Sequence, residues 1–385
     1  MATALKKDLV HLQKKVARFA RQYIAGRDDL HSMNGFPHDI WDKMGNEKLL
    51  GISLPEEYEG LGGDYLSIVV AGEALTRTGH NMGIAISWLI HNAVSRFIIM
   101  GFGDKRQYDI YLKGLATGKI TASIAVSEPG RGAHPKYLET SAYRRGDFYM
   151  LTGEKSYLTN GPIADLFIVV ASTEVDGERK RFTAFIVPKD TTGLSMTEPI
   201  KLDFFRPAPH GGIVLSQCSI PASSIIGEEG SAYEKMIKPF REVEDALMMG
   251  LLVGGMARQF DLLLNLIGNQ GVDPQEELKK CMGEMQSTLH ALRIMAYEAA
   301  SMLDSSIEHI EFLPLLISFR NILQQSNNLF KVIISMAGIE EDTDLHRITN
   351  DMAHSMDMAK NVNLIKQKKI GKRLLTEKGS DEFAP

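Results

Sequence analysis

Hydrophobic periodicity changes twice along this chain, and that order restricts the fold more than any other feature. Leu9, Leu12, Val16 and Phe19 recur at three- and four-residue spacing, one face of an amphipathic helix. Pro37 opens a second helix carrying Ile40, Met44 and Leu49. The stretch from Leu54 to Gly63 is too rich in glycine and proline for helix and reads as a loop. Helical spacing resumes near Ile68 and continues, with breaks, to about Leu115. Near Ile120 the period shortens. Ile124-Ala125-Val126, Phe148–Leu151, Phe167–Val170, Phe182–Val187 and Ile213-Val214-Leu215 are short β-rich runs bounded by turn residues. Asp176-Gly177 between two of them signals a hairpin. From Tyr233 onward helix returns. Met248, Leu251, Leu252 and Met256 share one face, and Met282, Met285, Leu289, Leu292 and Met295 another.

The expected fold is therefore α+β and mainly α. A helical domain covers 1–119, a β domain 120–232, and a C-terminal four-helix bundle 233–385. Strands and helices do not alternate, which argues against a doubly wound sheet. The methionines read as core filler, and the polar tail from Glu377 as a frayed end.

Charge and residue usage exclude several functions. A net charge of −5 over 385 residues argues against nucleic-acid binding. Cys218 and Cys281 lie far apart, in no metal-ligand spacing, and read as two reduced thiols. The eleven histidines do not cluster, so no metal site is expected. The basic N-terminus, with Lys6, Lys7, Lys14, Lys15, Arg18 and Arg21, lacks a signal peptide's apolar region. Asp8, Asp28 and Asp29 favour the first helix of the fold over a transit peptide. No apolar run looks long enough to span a bilayer. The expected location is the cytoplasm. There is no Walker A loop or His-Glu-x-x-His motif, and Gly130-Arg131-Gly132 lacks the strand–helix context of a dinucleotide site.

Five segments carry a more specific signal. They are Leu54–Gly63, Ser127-Glu128-Pro129-Gly130-Arg131-Gly132, Tyr157-Leu158-Thr159-Asn160-Gly161, Gly212–Leu215, and Ile220-Pro221 followed by Gly227–Gly230. In this order and spacing the chain resembles the acyl-CoA dehydrogenase family over nearly its whole length. The resemblance implies FAD, with Ile124, Ser127, Gly132, Tyr157, Leu158, Thr159 and Lys360 at the cofactor. An aromatic such as Tyr157 can stack near a flavin ring. Hydroxyls and backbone N–H groups at Ser127 and Thr159 can hold N5 and the pyrimidine edge. The family's reaction implies an acyl-CoA thioester, a glutamate that removes the α-proton, and hydride transfer to FAD. An electron-transfer flavoprotein is the implied acceptor, and a dimer or tetramer the implied assembly.

Most members carry the glutamate late in the chain, where Met356 stands here. A smaller group, similar to isovaleryl- and long-chain acyl-CoA dehydrogenases, places it on the helix after the β domain. Alignment through Gly254-Gly255-Met256 puts Glu244 there. Without the resemblance, Glu244 reads as a solvated carboxylate near a helix start. Substrate contacts are implied at Ala133, Glu242 and Asp245. Two of these places and a neighbour depart from the family: Ala133 and the adjacent His134 replace a hydroxyl and an acid, and Asp245 replaces an arginine. At the adenine end, Asn269–Pro274 lacks the family's arginine, Ser335–Ile339 is an eroded glycine turn, and Met358 and Lys360 replace a threonine and a glutamine. Two function classes stay open: an FAD-dependent acyl-CoA dehydrogenase, or a non-catalytic homologue. The latter would be a half-site subunit of a heteromeric dehydrogenase or a scaffold without FAD.

Overall fold

The computed structural model describes residues 6–33, 35–176, 179–271, 273–305, 312–340, 342–358 and 360–377. Among these, the side chains of residues 176, 179, 358, 360–362, 373 and 377 are not described.

The first helix, α1 (Lys7–Tyr23), buries Leu9, Val16, Phe19 and Ala20 along one stripe. Helix α2 (His38–Asn46) buries Ile40, Trp41 and Met44 but stops short of Leu49. Lys48 takes a left-handed backbone (φ 60°), so Leu49 enters the core from a separate 3-10 turn. Spacing alone ran the helix one turn too far, because a break in φ leaves no mark on hydrophobic period. Within Leu54–Gly63, Glu56–Tyr58 forms a 3-10 turn.

Helix α3 (Tyr65–Gly79) starts on an Asp64–Ser67 capping box. Asn81 caps α4 (Met82–Ala93), accepting from the Ile84 N–H at 2.8 Å. That helix runs through a π segment, Val94–Ile99, into the single turn α5 (Met100–Phe102). Helix α6 (Lys105–Thr117) completes the helical segment from an Asp104–Gln107 capping box.

Among the described residues eight strands follow: β1 (Ala122–Ala125), β2 (Ser141–Arg145), β3 (Phe148–Thr159), β4 (Leu166–Asp176), β5 (Arg179–Pro188), β6 (Leu194–Met196), β7 (His210–Pro221) and β8 (Ile225–Ile226). They form one sheet in the order β6-β7-β3-β2-β4-β5-β8, with β1 parallel to β4. Strands β4 and β5 pair antiparallel out to Asp176↔Arg179, as a hairpin requires, and Gly177 lies outside the described residues. Strand β4 reads as a continuous apolar run because both its faces are covered. Phe167, Val169 and Ala171 enter a core on one side of the sheet, while Leu166, Ile168 and Val170 join the helices on the other.

The C-terminal segment holds α7 (Lys238–Asn269), α8 (Glu276–Asp304), α9 (Phe312–Ala337), α10 (Thr343–Met358) and α11 (Lys360–Glu377). The tail from 378 lies outside the described residues. Helices α1 to α10 share one apolar core, to which Val16, Leu75, Leu251, Leu292, Phe319 and Met352 all belong. Helix α7 crosses α3 at Gly250 and Gly254, one turn apart. A Cβ on Gly250 would lie 2.5 Å from the Val69 carbonyl oxygen, and one on Gly254 would lie 2.6 Å from that of Glu73. Only glycine allows this approach, which sets the height of α7 against the N-terminal helices.

Among the described residues two helices are long and apolar enough to cross a bilayer, Met82–Phe102 and Tyr233–Asn269, contrary to the reading that no run suffices. Their most apolar windows are 89% and 78% buried inside the chain, so that apolar length serves the core.

Candidate active site

The Ser127–Gly132 signature forms a tight loop after β1. Glu128 and Gly132 exchange backbone hydrogen bonds at 3.0 and 3.1 Å, and Gly132 has a left-handed φ of 61°. A buried ion pair fastens the loop to β3. Lys155, fully buried, donates to the Glu128 carboxylate at 2.9 Å and to the Val126 carbonyl at 3.0 Å. The same carboxylate accepts from the backbone N–H groups of Glu139 at 2.7 Å and Thr140 at 2.9 Å. Burial opposes charge on Glu128, but Lys155 and these hydrogen bonds outweigh it and hold the carboxyl below its ordinary value. Burial lowers the Lys155 ammonium to about 8, so the pair is charged at neutral pH. Ser127 is half-buried, and its carbonyl accepts from the Ser156 N–H at 2.9 Å.

The second signature lies on β3 where its pairing with β7 slips, between Lys155 and Leu158. This bulge holds Tyr157 in a left-handed backbone (φ 59°) with its side chain 66% exposed. A non-glycine residue held so costs on the order of 1–2 kcal/mol, and such strain gathers at functional sites. Leu158 is buried in the sheet core, so the next residue, Thr159, turns to the opposite side of the strand. The Ser156 hydroxyl is buried without a hydrogen-bond partner. Thr159 is half-buried; its carbonyl accepts from Ser123 at 2.7 Å, and its hydroxyl meets His210 Nε2 at 3.2 Å. Asn160 ties this end of β3 to α4, donating to the Ser87 carbonyl at 2.8 Å. Ile124 is half-buried on β1, opposite Ile168 of β4.

The start of α7 closes the site. The Ala133 carbonyl accepts from Arg241 at 2.7 Å and from the Tyr233 hydroxyl at 3.2 Å. Glu244 lies three residues past Arg241, hence on the same face of α7. Burial raises its carboxyl to about 7; Asp245 adds to the rise, while Arg241 and Arg320 pull it back. Asp245 is gripped by Arg320 of α9 at 2.6 Å and Lys366 of α11 at 2.7 Å. Glu242 is half-buried on the same turn. His134 is exposed and receives the Lys136 N–H at 3.3 Å.

Met356 is half-buried in the bundle and lines a cavity of about 10 Å³ with Met256, Phe330 and Met352. Of the adenine-end positions, Val272 and the side chains of Met358 and Lys360 lie outside the described residues. Gln270 donates to the Ala337 carbonyl at 2.8 Å, which links the end of α7 to the end of α9.

The structure thus brings Ser127, Ala133, Tyr157 and Thr159 to the loop-and-strand side and Glu242, Glu244 and Asp245 to the helix side. Sequence reasoning missed Lys155, His210, Tyr233 and Arg241. Lys155 is a lysine at a fully buried place on β3, and nothing in its neighbours in sequence marks it as buried. His210 and Arg241 belong to no short-range pattern. Among the described residues, no three His, Cys, Asp or Glu groups converge as metal ligands.

Residues 6–119 match the acyl-CoA dehydrogenase N-terminal domain, and 123–218 match the middle domain. The chain belongs to the acyl-CoA dehydrogenase family. FAD is the cofactor of this family. The chain is 30% identical over 277 residues to mitochondrial isovaleryl-CoA dehydrogenase of Solanum tuberosum. The match covers 71% of this chain and 65% of that relative, less than two thirds of its length. Butyryl-CoA dehydrogenase from Megasphaera elsdenii shares the fold: TM-score 0.87, 20% identity, 97% of this chain and 100% of that one. The prolyl acyl carrier protein oxidase AnaB superposes with TM-score 0.83 at 25% identity, covering 96% and 100%.

The residues at the loop-and-strand side fit the ring end of a flavin. An exposed aromatic stands beside an orphaned buried hydroxyl, Ser156, and two half-buried hydroxyl residues, Ser127 and Thr159.

Proposed function

We propose that the chain is an FAD-dependent dehydrogenase acting on an acyl thioester, with Glu244 as the base. The observation that carries this reading is the Arg241–Ala133 hydrogen bond, which sets the helix face of Glu244 against the Ser127–Ala133 loop; burial there raises the Glu244 carboxyl to about 7. An α-proton next to a thioester is weakly acidic. Its removal needs a carboxylate that is charged near neutral pH yet poorly solvated, so that gaining the proton is favourable. Glu244, half-buried and with its carboxyl raised to about 7, suits that task.

When bound, FAD supplies a two-electron acceptor for the hydride leaving the β-carbon. The chain's own residues bind and orient. Tyr157 offers an aromatic face, Ser127 and Thr159 offer polar groups to the ring edge, and the Glu128–Lys155 pair holds the loop that carries Ser127. Arg241 and Tyr233 fix α7 against that loop, so Glu244 faces a site of set width. The substrate is an acyl group on CoA or on a carrier protein. The names of the structural neighbours include both kinds, and the acidic Cα–H is common to them. Re-oxidation by an electron-transfer flavoprotein and assembly as a dimer or tetramer follow from the same reading.

A subunit without redox chemistry is the second reading. It is favoured by Asp245, an acid held by Arg320 and Lys366 where relatives carry an arginine.

The test begins with the visible spectrum of the purified chain, alone and after addition of FAD. A yellow protein bleached by acyl-CoA or acyl-carrier-protein substrates supports the dehydrogenase. The Glu244→Gln variant should keep the flavin and the ligand but lose the bleaching. A chain that stays colourless with added FAD supports the second reading, and full turnover by Glu244→Gln removes Glu244 from the mechanism.

A further inference from the structure

The hydroxyl of Thr159 has a fixed hydrogen-bond direction. His210 Nδ1 lies 3.0 Å from the Ala208 carbonyl oxygen, which can only accept, so Nδ1 carries the ring proton. Nε2 is then a lone pair, and the Thr159 hydroxyl, 3.2 Å away, must donate to it. The backbone that carries the ring is held in place. His210 pairs with Thr159 across β3 and β7, its carbonyl accepts from Ile200 at 2.8 Å, and the neighbouring Pro209 carbonyl accepts from Asn160 at 2.9 Å. Burial lowers the imidazole below its ordinary value, which keeps it neutral and accepting. The only hydroxyl proton of Thr159 is therefore committed, and its oxygen presents lone pairs alone.

We propose that His210 is a positioning residue that makes Thr159 an obligate hydrogen-bond acceptor toward the flavin ring and so favours the reduced cofactor. The inference rests on the function proposed above, in which Thr159 faces the ring edge. In oxidised flavin N5 is a lone-pair acceptor. Two-electron reduction with one proton, the hydride balance of the proposed reaction, turns it into an N–H donor. An accepting Thr159 complements only the second form. A threonine with a free hydroxyl proton could serve the first.

The test measures the flavin midpoint potential by dithionite titration against a reference dye, without turnover. His210→Leu frees the hydroxyl proton and should shift the oxidised-to-reduced equilibrium about tenfold toward the oxidised form, a fall of about 30 mV for a two-electron couple. His210→Gln keeps an accepting oxygen and should hold the wild-type potential. In a Thr159→Val background, His210→Leu should have no further effect. Histidine-selective nitrogen NMR of the unmutated chain gives a check free of folding defects, with a neutral Nδ1–H ring expected for His210. An Nε2–H ring, an unchanged potential in His210→Leu, or the same shift with Val at 159 overturns the inference while leaving the dehydrogenase reading intact. A chain that takes up no flavin overturns both.

Discussion

The buried Glu128–Lys155 pair is the point where a single substitution should separate loop order from fold. Replacing Lys155 by Met removes the ion-pair partner, the only one among the described residues, of a carboxylate that is 4% exposed. The two backbone N–H donors from Glu139 and Thr140 remain, but the countercharge and the link to the Val126 carbonyl go. Breaking a buried pair from one side costs about 3–5 kcal/mol, because the remaining charge stays desolvated. The double variant Lys155→Met/Glu128→Gln should recover part of this: it leaves no buried charge, and its amide oxygen still accepts from one of the two backbone donors, while its NH2 meets the other. Urea denaturation of the β domain's signal, read with the flavin signal in parallel, measures both effects. We expect Lys155→Met to unfold at lower urea and to bind FAD more weakly, as the Ser127–Gly132 loop loses its tie to β3. The exposed Lys105–Asp109 pair is the control, and its loss should leave the midpoint in place. A Lys155→Met chain with the wild-type midpoint and flavin affinity would refute the claim that this pair holds the signature loop. A double variant no better than the single one would refute the argument from a stranded charge.

Three further outcomes are expected. With the Glu244 carboxyl raised to about 7, the rate of the reductive half-reaction should climb with pH and level off above about 7; a rate flat from pH 5 to 9 would contradict Glu244 as base. The Asp351 carboxyl is buried and accepts one hydrogen bond among the described residues, from the Phe205 N–H at 2.7 Å, and burial raises it from 3.8 to about 7. The folded state thus holds a proton that the unfolded state has lost, so this group's contribution is complete below 3.8 and disappears as pH rises through about 7. Asp351→Asn keeps an accepting oxygen and should stabilise the chain at pH 8, by about 4 kcal/mol at most, with the gain shrinking toward pH 5; denaturant midpoints at the two pH values decide it. Gly83→Ala would press a Cβ onto the Phe205 and Arg206 carbonyls, an overpacking that should cost about 1–3 kcal/mol and show as a lower unfolding midpoint.

Much of this protein was written in local pattern. The stripe Leu9, Val16, Phe19 and the run Leu166–Ala171 each carry a period or a continuity that follows from which faces are covered. The order helix, sheet, helix and the two signature segments needed no coordinates. What stayed hidden depends on contacts between distant segments. Lys155 and Glu128 look like ordinary surface charges until β3 and the loop after β1 are laid together, and then both are buried. Helix α7 reads as an amphipathic run in isolation, yet Gly250 and Gly254 set its approach to α3, and Arg241 ties its start to Ala133. Residue pattern was enough for the class of fold, the family and Glu244 as a candidate. The properties of the site came from packing. A carboxyl is raised by burial, a hydroxyl is committed by a histidine fifty-one residues away, and Asp245 is claimed by helices that sequence places far downstream. Proton affinity and hydrogen-bond direction are set by what surrounds a group in space, and that is the one thing residue spacing does not encode.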